Sequence, residues 1–188
     1  MSVATLQHYI RTYDDDLDAA LCERMVESFH ALERFQQPNG RGVRPGLEHS
    51  AWTELNVTRL ADTGFLGIFR LGIDRALERY NQDLGLAIPV PNSSTTADLV
   101  IKRYRPGTGE QFELHFDSIY QKSDRYLVMI WYLNDVAAGG ETLFPQLEVA
   151  VQPKRGRLLM FPPFWMYQHE GRPPVGSDKY IVSTYLTY

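Results

Sequence analysis

Cysteine is nearly absent: Cys22 is the single one, so no intrachain disulfide can form. Long apolar runs are missing too, because Arg, Asp, Gly or Glu interrupts every stretch that might cross a bilayer, and no membrane span is expected. Positive charge is not in excess. Nineteen Lys and Arg against twenty-three Asp and Glu leave a net charge of -4, which argues against nucleic acid as a general partner while leaving room for a local basic groove. The amino terminus has no charged-then-apolar signal segment, and with one thiol the expected setting is a reducing cytoplasm. Internal repeats and low-complexity tracts are likewise lacking, and nothing in the pattern specifies an oligomeric state.

What is present suits one globular domain over residues 1–188, with 44% hydrophobic and 22% charged residues. Residues 1–97 read as helical support and loops. Leu17, Leu21, Met25, Phe29 and Leu32 recur at helical intervals over Asp16 to Leu32, with Asp14 to Asp16 as the expected N-cap region. A second amphipathic helix is expected from about Phe65 to Asp83, on the stripe Phe65, Phe69, Ile73, Leu77 and Tyr80, stopping at Gly85. Phe35 to His49 and Pro89 to Thr96 read as loops that could carry substrate choice; Arg34, Arg41 and Arg44 could meet an acidic group there, or be solvated.

Residues 98–188 change character. Leu99 to Tyr104, Gln111 to Phe116, Tyr126 to Leu133, Leu147 to Gln152, Arg157 to Phe161 and Lys179 to Tyr188 are strand candidates separated by turn-forming clusters such as Ala138-Gly139-Gly140. Helices first and strands later predict an α+β, mainly β chain, an antiparallel jelly roll with the helices packed outside it.

The chemistry concentrates at His115 and Asp117. Their spacing of two on a strand puts both side chains on one face. Of the other histidines, His8, His30 and His49 lie in the first half, whereas His169 follows the β-rich region and is the best candidate for a third ligand. Two imidazoles and one carboxylate leave three positions of an octahedral iron open, as non-haem Fe(II) oxygenases require. Lys179, shortly after His169, could hold a carboxylate by a charge-assisted hydrogen bond, though alone it also fits a solvated lysine.

Several ordered stretches carry a resemblance: Tyr104-Arg105-Pro106-Gly107 to His115-Phe116-Asp117, Tyr132-Leu133-Asn134-Asp135, Gly139-Gly140-Glu141-Thr142-Leu143-Phe144-Pro145, Gly156-Arg157-Leu158-Leu159-Met160-Phe161, His169-Glu170-Gly171 and Lys179-Tyr180. Together, over about Asp98 to Tyr188, they resemble the prolyl 4-hydroxylase branch of the Fe(II)/2-oxoglutarate oxygenases. The resemblance implies a double-stranded β-helix (cupin-like jelly roll) with N-terminal supporting helices, and iron on His115, Asp117 and His169. It implies 2-oxoglutarate on Lys179, with Tyr104 and Tyr132 in the cosubstrate pocket; Ser183, on the strand face of Lys179, could add a hydroxyl donor. Arg125 falls where substrate is bordered in related hydroxylases, although a strand-edge role fits it too; Trp165 and Tyr167, just before His169, could likewise line the substrate mouth or pack in the core. O2 is the implied second cosubstrate, ascorbate a possible reductant, and succinate and carbon dioxide the coproducts. Related halogenases generally lack the carboxylate matching Asp117, so hydroxylation is implied. Three readings stay open: a hydroxylase of a prolyl residue in a peptide or protein, a hydroxylase of a free amino acid or other small molecule, and a cupin-like module whose metal is inert.

Overall fold

The computed structural model describes residues 5–42 and 46–188, so Arg44 lies outside the described residues. Its strands are β1 (Arg11–Tyr13), β2 (Gln37–Asn39), β3 (Trp52–Asn56), β4 (Val100–Tyr104), β5 (Phe112–His115), β6 (Arg125–Tyr132), β7 (Ala138–Gly139), β8 (Thr142–Phe144), β9 (Val149–Val151), β10 (Leu158–Phe161), β11 (His169–Gly171), β12 (Pro174–Val175) and β13 (Lys179–Thr187). Two α-helices, α1 (Ala19–Ala31) and α2 (Thr63–Leu84), precede β4.

A seven-stranded sheet in the order β1-β10-β6-β13-β4-β3-β2 and a four-stranded sheet in the order β5-β11-β8-β9 form the body of the molecule. The paired strands run antiparallel in both. The large sheet is buried on both faces, and the period of two sorts its side chains cleanly. Leu127, Met129, Trp131, Leu158, Met160, Tyr180 and Val182 join Phe29, Phe69, Ile73 and Leu77 of the helices in one apolar cluster. Val128, Ile130, Tyr132, Leu159, Phe161 and Ile181 point the other way and pack with Phe144 and Val151 of the small sheet in a second. The layers are therefore helices, large sheet and small sheet, with the cavity between the two sheets.

Helix termini follow their local chemistry. Asp62 caps α2 by accepting from the Phe65 N–H at 2.9 Å, and Gly85, at φ 59°, closes it. At α1 the cap is Asp18, which accepts from the Leu21 N–H at 3.1 Å, not the preceding acidic run. That run braces the sheet instead: Asp16 accepts from the Trp131 indole at 2.7 Å, and Asp14 pairs with Lys154 and Arg157.

All six strands anticipated after residue 98 are present, with slightly different ends. The first 97 residues add three strands, β1, β2 and β3, to the large sheet, and β2 occupies part of the expected loop from Phe35 to His49. Each is short and owes its conformation to its neighbours: β3 pairs with β4 through Thr53 and Arg103, and with β2 through Trp52 and Asn39. Among the described residues no helix is long and apolar enough to cross a membrane.

Candidate active site

His115 ends β5, His169 begins β11, and the two are partners across the small sheet. Cross-strand pairing brings their ring centroids to 4.3 Å. The strand stops at His115, so Asp117 reaches the same site from the following turn, where its backbone N–H donates to the Pro163 carbonyl at 3.0 Å. One carboxylate oxygen, Oδ1, lies 3.7 Å from His115 Nε2 and the other, Oδ2, 3.5 Å from His169 Nε2. One ligand atom from each residue fits within 4.8 Å of the others, and all three side chains are buried.

Backbone carbonyls orient both imidazoles. His115 Nδ1 sits 2.7 Å from the Glu113 carbonyl and His169 Nδ1 3.0 Å from that of Tyr167. A carbonyl can only accept, so each Nδ1 carries the proton and each Nε2 keeps its lone pair for the site. His115 Nε2 and Asp117 Oδ2 are buried with no hydrogen-bond partner. Buried polar atoms are seldom left so, and a cation between the three ligands would complete them. Burial, reinforced by the neighbouring His115, brings the His169 imidazole down to about 3. Burial alone would raise the Asp117 carboxyl, but the adjacent His115 and His169 rings and the Arg125 guanidinium outweigh it and hold it well below the usual carboxylate range. Imidazole Nε2 atoms facing an ionised carboxylate are what a divalent metal needs. Phe112 stacks on His115 at 3.7 Å, and Phe161 meets His169 edge-on at 4.7 Å, so both rings are fixed by packing.

The same cavity is walled by Tyr104, Thr142, Gly171, Lys179 and Ser183. Lys179 opens β13 opposite Tyr104 and is 2% exposed. Its ammonium lies 5.2 Å from the Tyr104 ring and 5.7 Å from that of Tyr132. Burial lowers it towards about 7, against the opposing pull of Glu141. Tyr132 is wholly buried, and its hydroxyl shares a 2.7 Å hydrogen bond with Thr142, through which it meets the cavity. Ser183 follows on the same face of β13, as the spacing of two requires. Arg125 lies 3.5 Å over the Tyr185 ring and 3.8 Å from Asp117 Oδ1. Trp165 is 66% exposed on a turn of 3₁₀ helix and turns to solvent, whereas Tyr167 is buried.

Four residues that sequence reasoning passed over belong to this site: Phe112, Lys102, Thr142 and Tyr185. Tyr185 donates its hydroxyl to Asp117 Oδ1 at 3.0 Å. An outer groove of about 440 Å³ shares Lys102, Phe112, Asp117, Ser183 and Tyr185 with the metal cavity and opens past Arg125.

Residues 99–187 match the family model described as the 2OG-Fe(II) oxygenase superfamily. Residues 99–187 form a 2OG-Fe(II) oxygenase domain. Over 91 residues it is 35% identical to a probable prolyl 4-hydroxylase 11 of Arabidopsis thaliana, covering 45% of this chain and 29% of that one. It is 33% identical over 82 residues to the human prolyl 4-hydroxylase subunit alpha-1, covering 38% of this chain and 14% of the subunit. The chain thus spans less than a third of the length of these curated relatives. A prolyl hydroxylase from Trichoplax adhaerens, solved with a hypoxia inducible factor peptide fragment, superposes with TM-score 0.73 at 17% identity, covering 96% of this chain and 84% of that one. A Pseudomonas putida prolyl-4-hydroxylase gives TM-score 0.68 at 19% identity, covering 96% and 94%. The oxygenase domain therefore has the double-stranded β-helix fold, with N-terminal helices on its outer face.

Proposed function

We propose that this domain is an Fe(II)- and 2-oxoglutarate-dependent dioxygenase that hydroxylates an unactivated C–H bond of a prolyl residue in a peptide or protein. One observation carries the reading: a buried two-imidazole, one-carboxylate cluster shares a single cavity with the buried ammonium of Lys179. An inert structural metal has no use for that second charge.

His115, Asp117 and His169 would hold the iron, and their neutral and anionic states leave one net charge of the metal for cosubstrate to meet. Lys179 donates to the far carboxylate of 2-oxoglutarate, with Ser183 beside it, while Tyr104, Ile130 and Ile181 exclude water from that end. Bound iron with 2-oxoglutarate and dioxygen supplies the oxidising power, releasing succinate and carbon dioxide as one oxygen atom enters the substrate. The outer groove, bordered by Arg125, is the approach left for a substrate. The prolyl assignment draws its support from the names of the relatives, and a cytoplasmic setting from the lone, buried thiol of Cys22.

The experiment is an aerobic assay with Fe(II), 2-oxoglutarate and ascorbate to keep the iron reduced, reading succinate. Oxygen-dependent succinate formation, lost in Asp117→Ala with the circular dichroism spectrum retained, is expected. No succinate from the folded, metal-loaded protein would sink the reading. Mass spectrometry of proline-rich peptides beside free amino acids then decides between the peptidyl substrate and a small-molecule one.

A further inference from the structure

Lys102 is a second cation at this site, and neither metal nor cosubstrate accounts for it. It lies on β4 two residues before Tyr104, so the period of two turns it to the cavity face beside Tyr104 and Ser183. Its side chain forms part of the wall common to the metal cavity and the outer groove. The ammonium stands 5.4 Å from the Trp52 ring and 5.6 Å from the Phe112 ring, and Phe112 in turn stacks on the ligand His115. The charge is therefore held within two aromatic layers of the metal ligands.

Among the described residues, no carboxylate comes within ion-pair distance of Lys102. Glu54 is its cross-strand partner, but that carboxylate accepts from the Trp52 indole at 2.8 Å. Asp117 is already engaged by Tyr185 and the imidazoles. Lys102 is half-buried, and its ammonium, set against aromatic rings with no carboxylate in reach, keeps only part of its water, a loss that aromatic contact partly offsets.

We infer that Lys102 is a specificity-determining residue that receives a carboxylate of the substrate as it lies in the outer groove. This rests on the proposed oxygenase function and adds the substrate class: an acid, not a neutral molecule. Two sources offer the same chemistry. One is the α-carboxylate of a free amino acid or of a peptide ending at the reacting residue; the other is an acidic side chain flanking that residue in a longer peptide. Lys179 is a separate anchor, on another strand and assigned to the cosubstrate.

The test is calorimetric, in the full chain loaded with Mn(II) and 2-oxoglutarate so that no turnover occurs. The probes are L-proline and its amide, and two capped pentapeptides with a central proline flanked either by alanine or by glutamate. One acidic probe of the two pairs is expected to bind at least tenfold more tightly than its neutral counterpart, and which pair responds identifies the source. In Lys102→Met, of matched length, that preference is expected to collapse to within about twofold, while 2-oxoglutarate affinity in the same samples stays within about twofold of the wild type. Equal binding of acidic and neutral probes, absence of binding by every probe, or a preference that survives in Lys102→Met overturns the inference. A loss in Lys102→Met of 2-oxoglutarate binding equal to the loss of probe binding also overturns it, by making Lys102 part of the cosubstrate site. Failure of the wild type to bind 2-oxoglutarate at all sinks the functional reading itself, so the two failures are distinguishable.

Discussion

The Tyr185 hydroxyl donates to Asp117 Oδ1 at 3.0 Å, leaving Oδ2 as the oxygen without a hydrogen bond in the cluster. Both side chains are buried, and the Arg125 guanidinium lies 3.5 Å over the Tyr185 ring. Asp117 has no strand neighbours to fix it, since β5 ends at His115. Tyr185, at the far end of the face that carries Lys179, Ile181 and Ser183, supplies the restraint.

Tyr185→Phe keeps the ring and removes the hydroxyl. Outer hydrogen bonds to metal ligands are worth about 10–100-fold in affinity or activity. The expected result is Fe(II) or Mn(II) affinity lower by about tenfold, with an unchanged circular dichroism spectrum. A metal titration matching the wild type would show that packing alone holds Asp117.

Lys179 gives cosubstrate binding a pH dependence. Its ammonium is brought down to about 7, and a carboxylate beside it favours the protonated form. Affinity for 2-oxoglutarate is therefore expected to be greatest below pH 7 and to fall as pH rises, with proton uptake on binding above that point. Lys179→Ala should weaken binding by about 10–100-fold, the usual range for a hydrogen bond to a charged group. In Lys179→Arg, where the charge is permanent, any residual affinity should be flat across pH 6–9. A pH-independent wild-type titration would count against the assignment.

The same lysine burdens the fold. Between about 7 and its unfolded value the unfolded chain binds a proton that the native state does not, so the cost of burying Lys179 is complete below pH 7 and is relieved as pH rises. Lys179→Met is expected to raise the Tm of the metal-free protein, more at pH 6 than at pH 9. Equal gains at the two values would mean the native lysine does not titrate in this window.

How much of this could be read in advance follows from length and pairing. β6 and β13 are long runs rich in apolar residues, and α2 shows its stripe and its stop at Gly85 in the sequence, so all three were legible, though not the Asp62 cap. β1, β2, β8 and β11 have three residues each, too few to show a period, and their partners impose their conformation. His169 could be picked as a ligand without knowing that its segment is a strand paired with His115. Lys102 and Tyr185 were within reach: counting by two from Tyr104 and from Lys179 leads to both. They were passed over because a lysine in a strand reads as solvent-facing and a terminal tyrosine as packing. Thr142 was not reachable, since only the folded sheet brings its hydroxyl to Tyr132.

The connection from β6 to β8 depends on one glycine. Gly139, at φ 68°, pairs with Pro174, and a Cβ there would stand 2.4 Å from the Pro173 carbonyl oxygen. Both the left-handed backbone and the backbone contact oppose any side chain, and neither can be relieved by a rotamer change. Gly140 follows with its N–H donating to that same carbonyl, and its Cα faces Lys179 Cδ closely enough that an added Cβ would lie at 3.4 Å. Gly139→Ala is therefore expected to cost about 1–3 kcal/mol, seen as a Tm lower by about 2–4 °C for each kcal/mol. Because the displaced strand leads to Gly140 and Thr142, 2-oxoglutarate affinity should fall with it, whereas Gly176→Ala, also at positive φ but with open space around it, should lower Tm without that loss. Loss of cosubstrate affinity in both variants would mean that general destabilisation, not the contact at Pro173, governs the pocket.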